Sequence, residues 1–149
     1  MLLLTIMTLC TSCHSGHNVN TSDPAQVKKI EDALNLKFPN TAVWIGAYAD
    51  YVPSGLVYFY CCVKMSNEDL AIAFPENKFA WRTDTATVFN SNATQRKNKK
   101  WFNPDAIEMF QSFQVRYPDN KHVLNVLTER NKFNPEEQVL VYIVWWYHR

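Results

Sequence analysis

Apolar and polar positions along the chain fall into blocks of two periods. The longest β-type block is residues 139–147, VLVYIVWWY. Its nine consecutive apolar residues, rich in β-branched and aromatic types, are too few to span a bilayer as a helix. They predict a central strand. Val139, Val141, Ile143, Trp145 and Tyr147 face one way and Leu140, Tyr142, Val144 and Trp146 the other, so both faces of the sheet need cover.

Upstream, Asp23 and Pro24 form a cap and first-position pair, and Val27, Ile30, Ala33 and Leu34 recur at helical spacing, predicting a helix over about residues 24–36. TAVWIGAY and LVYFYCCVK flank a turn around Pro53 and Gly55 and read as a hairpin. Ser66 and Asp69 cap a short helix that Pro75 ends. Residues 79–89 alternate as an edge strand does. Asn103 and Pro104 repeat the cap signature, and Ile107, Phe110 and Phe113 continue an apolar stripe to Val115, predicting a second long helix. HVLNVLTE and the final run then make a second hairpin around NKFNPEE.

The expected fold class is therefore α+β: an antiparallel sheet of four or five strands with two long helices on one face. Asp23, Pro24, Val27 and Ile30 align with Asn103, Pro104, Ile107 and Phe110 at an offset of 80, which suggests two helix-hairpin repeats. With 149 residues, 47% hydrophobic content and 3 glycines, the chain suits one domain, residues 23–149. A net charge of +1 supplies no field to hold nucleic acid.

The first thirteen residues, MLLLTIMTLCTSC, are an uncharged apolar run leading into small residues and a cysteine, as in a signal peptide. Cys10, Thr11, Ser12 and Cys13 resemble the lipobox of bacterial lipoproteins, with Cys10 where that family usually has Leu. The resemblance implies a signal peptide over residues 1–12, lipidation of Cys13, a tether over residues 13–22 and the membrane as a partner. His14, not being Asp, implies the outer membrane, facing the periplasm, in a Gram-negative cell. Cys61 and Cys62 then remain; being adjacent in a strand, they point to opposite faces and predict no disulfide.

The chain shows no nucleophile elbow, phosphate-cradling glycine loop, metal-type spacing or cofactor motif. His14, His17, His122 and His148 are scattered, and Asp50, Glu68, Asp69 and Asp84 are the carboxylates available as acid and base. The aromatic residues carry more weight. Tyr142 and Trp146 share a face, with Trp44 and Tyr48 or Tyr58 and Tyr60 expected beside them, forming a recognition surface unless residues 66–89 close over it. Arg96, Lys97, Lys99 and Lys100 precede Trp101 and Phe102 and form either a solvated or a contact loop. The expected function is a non-enzymatic, envelope-tethered domain that binds another protein, of inhibitor, immunity or accessory type. The alternatives are a small envelope hydrolase or sugar-binding enzyme, and a structural lipoprotein.

On the lipobox reading, Cys13→Ser releases the protein from membranes or blocks its processing, and Cys10→Ser does neither. Incorporation of a fatty-acid analogue checks this; label retained in Cys13→Ser contradicts it.

Overall fold

The computed structural model describes residues 15–81, 99–104, 110–119, 121–129 and 137–147. In chain order these hold β1 (Ser15–Asn18), α1 (Pro24–Leu34), β2 (Val43–Val52), β3 (Gly55–Ser66), α2 (Asn67–Ala73), β4 (Phe110–Arg116), β5 (His122–Glu129) and β6 (Gln138–Tyr147). Every strand belongs to one antiparallel sheet of order β1-β2-β3-β6-β5-β4. Its centre is the β3–β6 ladder, which runs from Tyr58↔Trp146 to Ser66↔Gln138 and brings Cys61 opposite Ile143.

Local chemistry explains the helices. Asp23 accepts the Ala25 N–H at 2.9 Å and Pro24 sets the first helical φ. Asn35, in the left-handed region at φ 50°, ends α1, which buries Ile30 and Leu34. The Ser66 hydroxyl caps α2 by accepting the Asp69 N–H at 3.0 Å.

The expected pair of long helices on an α+β sheet is not what forms. Among the described residues the helices have 11 and 7 residues, the sheet has six strands, and the segment read as the second long helix is strand β4 from Phe110 onward. The spacing of Phe110 and Phe113 suits a helix, but Phe113, Val115 and Tyr117 also alternate with the polar Ser112, Gln114 and Arg116. That period of two lets Phe113 and Val115 pack into the core while the chain supplies β5 with a neighbour. The two helix-hairpin repeats fall with it, because the second unit carries a strand where the first carries α1. Residues 15–18, expected within the tether, form the edge strand β1 against residues 48–51.

Both faces are covered. One carries Phe59, Cys61, Val63, Leu124, Val126, Val141, Ile143 and Trp145 under α1 and α2, with Phe74, Phe79 and Trp81 completing the layer. Residues 66–81 therefore close over the Ile143 face and not, as expected, over Tyr142; residues 82–89 of the expected edge strand lie outside the described residues. The opposite face carries Tyr58, Tyr60, Cys62, Leu127, Tyr142 and Val144, with Phe102 over it.

Ile143 is fully buried at the sheet centre. Ile143→Ala is expected to destabilise the domain by about 2–5 kcal/mol, read as a fall in the denaturant midpoint; an unchanged midpoint contradicts the register.

Candidate binding surface

Cross-strand register sets out the aromatic face in rows, since directly opposed residues share a face. Asp50, Tyr58, Trp146, Val123 and Arg116 make one row and Tyr48, Tyr60, Val144, Asn125 and Gln114 the next. Gly46, Cys62, Tyr142, Leu127 and Ser112 make a third. The structure thus brings Tyr58, Tyr60, Tyr142 and Trp146 together. Trp44 it places on the other face, tilted against Phe38 at 4.7 Å, because the chain bulges between Trp44 and Gly46.

Within this face the rings are packed as a second core. Tyr60 is 0% and Tyr142 4% exposed, and Tyr58 is buried beside them; Trp146, Tyr48 and Trp101 are half-buried. Trp101 stacks on Tyr60 at 5.6 Å, and Phe102 meets Tyr60 and Tyr142 edge-on at 5.1 and 5.2 Å. Glycine makes this possible: a Cβ at Gly46 would lie 2.4 Å from Trp101 Cδ2, and one at Gly16 would lie 1.8 Å from the Tyr48 hydroxyl. Gly46 and Gly16 carry no side-chain signal; a strand position in a glycine-poor chain could have marked Gly46, whereas Gly16 lies in a segment without strand pattern.

Of the cationic loop, Arg96 and Lys97 lie outside the described residues, as does Cys13. Lys99 donates to Asn18 Oδ1 at 2.7 Å with its Nζ 5.3 Å from the centre of the Tyr48 ring, and Lys100 is exposed. Burial raises the Tyr48 hydroxyl pKa, and the Asp50 charge adds to the rise. Asp50 Oδ1 is buried without a hydrogen-bond partner among the described residues, and so is the Asn125 side-chain amide.

Among the described residues, the edge of the sheet beside these rings has a stretch with no neighbouring strand. β1 pairs with residues 48–51 of β2, and Val19 N–H reaches Ala47 O at 2.9 Å; no described strand lies along residues 43–46. Val43 and Ile45, at 50% and 44% exposed, stand on that stretch, and they are two of the three large exposed hydrophobics among the described residues. Lys64 faces Val43 from β3, so a cation stands one strand in from this apolar edge.

Groups suited to catalysis are held elsewhere. Asp69 is on α2, accepting from the Thr41 hydroxyl at 2.6 Å, on the face opposite Asp50; Glu68 is exposed and Asp84 lies outside the described residues. His122 pairs with Asp119 and stacks on Trp145 at 5.1 Å, while Asp119 also accepts the N–H groups of Lys121 and His122, which hold its carboxyl below the ordinary range. This builds the β4–β5 turn. His17 stacks on Tyr51 at 5.4 Å. Burial pushes the Cys62 thiol up to about 11 and Cys61 well above its usual value, so both are neutral, unbonded thiols. Among the described residues no three His, Cys, Asp or Glu side chains cluster as metal ligands, and no helix is long and apolar enough to cross a membrane. No protein-family model, curated protein or solved structure matches the chain.

Gly46→Ala is expected to lift Trp101 off Tyr60 and cost about 1–3 kcal/mol. The Trp101 indole resonance and the denaturant midpoint report it, and an unmoved indole resonance contradicts the seating.

Proposed function

We propose that the chain is a non-enzymatic, lipid-anchored domain of the bacterial envelope that binds another protein by taking one of its extended segments along the open edge of β2. The observation that carries this reading is the stretch at residues 43–46, where strand backbone without a described neighbour coincides with the exposed Val43 and Ile45. A bare, uncharged edge with β-branched side chains recruits another strand, and soluble proteins ordinarily protect such edges with charge, proline or cover. Strand addition makes main-chain hydrogen bonds supply affinity and alternate side chains supply selectivity. The Cys13 motif supports the anchor, and His14 after it favours the outer membrane, facing the periplasm, in a Gram-negative cell.

The rest of the surface suits this use. Trp101, seated over Gly46, offers a half-buried ring beside the edge, and Lys64, Lys99 and Lys100 favour acidic residues on the incoming segment. Tyr58, Tyr60 and Tyr142 act from beneath, holding the rings above them in place.

Ile45→Lys adds a charge to an exposed bulge and is expected to leave the thermal midpoint unchanged while abolishing capture of the partner from envelope extracts. In the wild-type complex the amides of residues 43–46 gain hydrogen-exchange protection. Equal capture by Ile45→Lys, or protection that appears elsewhere and not on β2, overturns the reading.

A further inference from the structure

A cleft of about 630 Å³ opens on the helical side of the sheet, between the turn after α1 and the end of α2. Its volume lies within the range of about 300–1,000 Å³ found for small-ligand sites. Leu36, Phe38, Ile72, Phe79, Val115 and Tyr117 supply an apolar lining. Ile72 is 69% exposed, the most exposed large hydrophobic among the described residues, and it stands on the cleft wall with none of the described residues covering it.

The charges around the lining are unequal. Lys37 and Lys78 stand on it as exposed cations, and neither makes an ion pair among the described residues. The one carboxylate in the lining, Asp69, already accepts the Thr41 hydroxyl at 2.6 Å. Glu31, close by in the chain, is likewise engaged, accepting the Phe38 N–H at 2.8 Å. Lysine stems extend apolar surface while their ammonium groups stay in water, so this site has an apolar floor with a cationic rim.

We propose that this cleft binds a single-chain amphiphile with an anionic head, a free fatty carboxylate, with its hydrocarbon on Phe38, Ile72 and Phe79 and its carboxylate between Lys37 and Lys78. One apolar trough of this volume accommodates one chain, and an isolated, mobile ammonium matches a carboxylate as a point charge. Tyr117 closes the floor: its hydroxyl donates to the Leu34 carbonyl, and burial pushes its pKa up to about 12, so it adds no negative charge beneath the ligand.

Dodecanoate below its micellar concentration, titrated into the full chain in the absence of detergent, tests the proposal through amide resonances. Saturation at one molecule per chain is expected, with shifts confined to residues 36–38, 72 and 78–79. Lys37→Glu combined with Lys78→Glu is expected to weaken binding about fivefold or more, the scale of two lost and reversed surface charge contacts. Ile72→Asp, at an exposed position, weakens it while leaving the thermal midpoint in place, so a loss of binding is separable from a loss of fold. Dodecanol binds less well than dodecanoate. No saturable shift, equal binding of dodecanol, or shifts centred on residues 43–46 overturns the proposal. So does association with phosphatidylglycerol vesicles or an acidic peptide in place of dissolved dodecanoate.

Discussion

The structure depends on one ladder, the antiparallel pairing of β3 with β6. Each strand is apolar on both sides, so the pair creates two faces that water must leave, and everything else in the chain is arranged as cover for one or the other. α1, α2 and the aromatic residues that follow α2 seal the Ile143 side. The Tyr142 side is sealed without a described helix, by Trp101 laid flat on Tyr60 and Gly46 and by Phe102 set edge-on against Tyr60 and Tyr142. A sheet covered partly by single rings is thin there, which is why Trp146 and Tyr48 keep surface in contact with solvent while Tyr60, beneath Trp101, does not.

That economy explains the division of roles along β2. Where β1 lies beside it, the strand is protected and its outward residues are packed; where β1 turns away toward α1, the same strand presents Val43 and Ile45. The bulge at Ile45 re-aims the chain just before Gly46, and Gly46 is the residue on which Trp101 rests. Edge, bulge and ring seat are thus one mechanical unit, and any strand added at residues 43–46 acts on the lid of the aromatic layer.

Much of this was legible in the residues. Four of the strands are announced by runs of β-branched and aromatic types, and α1 by Asp23 and Pro24, because these signals are local. The two faces of residues 139–147 also follow from alternation alone. β4 was misread because Phe110 and Phe113 satisfy a helical spacing while Phe113 and Val115 satisfy a strand, and the choice is made by a distant event, the need of β5 for a partner. β1 is invisible for the same reason: Ser15, Gly16, His17 and Asn18 have no strand propensity of their own and are extended because β2 holds them. Within the candidate surface, parity alone puts Tyr142 and Trp146 on one face but leaves their neighbours open between Trp44 with Tyr48 and Tyr58 with Tyr60, because cross-strand register is not local; nor is the exposed stretch of β2 legible, since exposure of Val43 and Ile45 depends on where another strand stops.

The position of β6 has a consequence in time. It is the last of the described strands and the fourth in the sheet, so until residues 138–147 have been delivered, β3 has β2 on one side and lacks its other neighbour. The first hairpin and the β4–β5 hairpin cannot be joined by any earlier segment, and the contacts that join them are long-range, which makes the closing step slow relative to local structure. A chain that emerges amino-terminus first therefore leaves β3 half-paired until residues 138–147 arrive, and both faces of the sheet stay open until then.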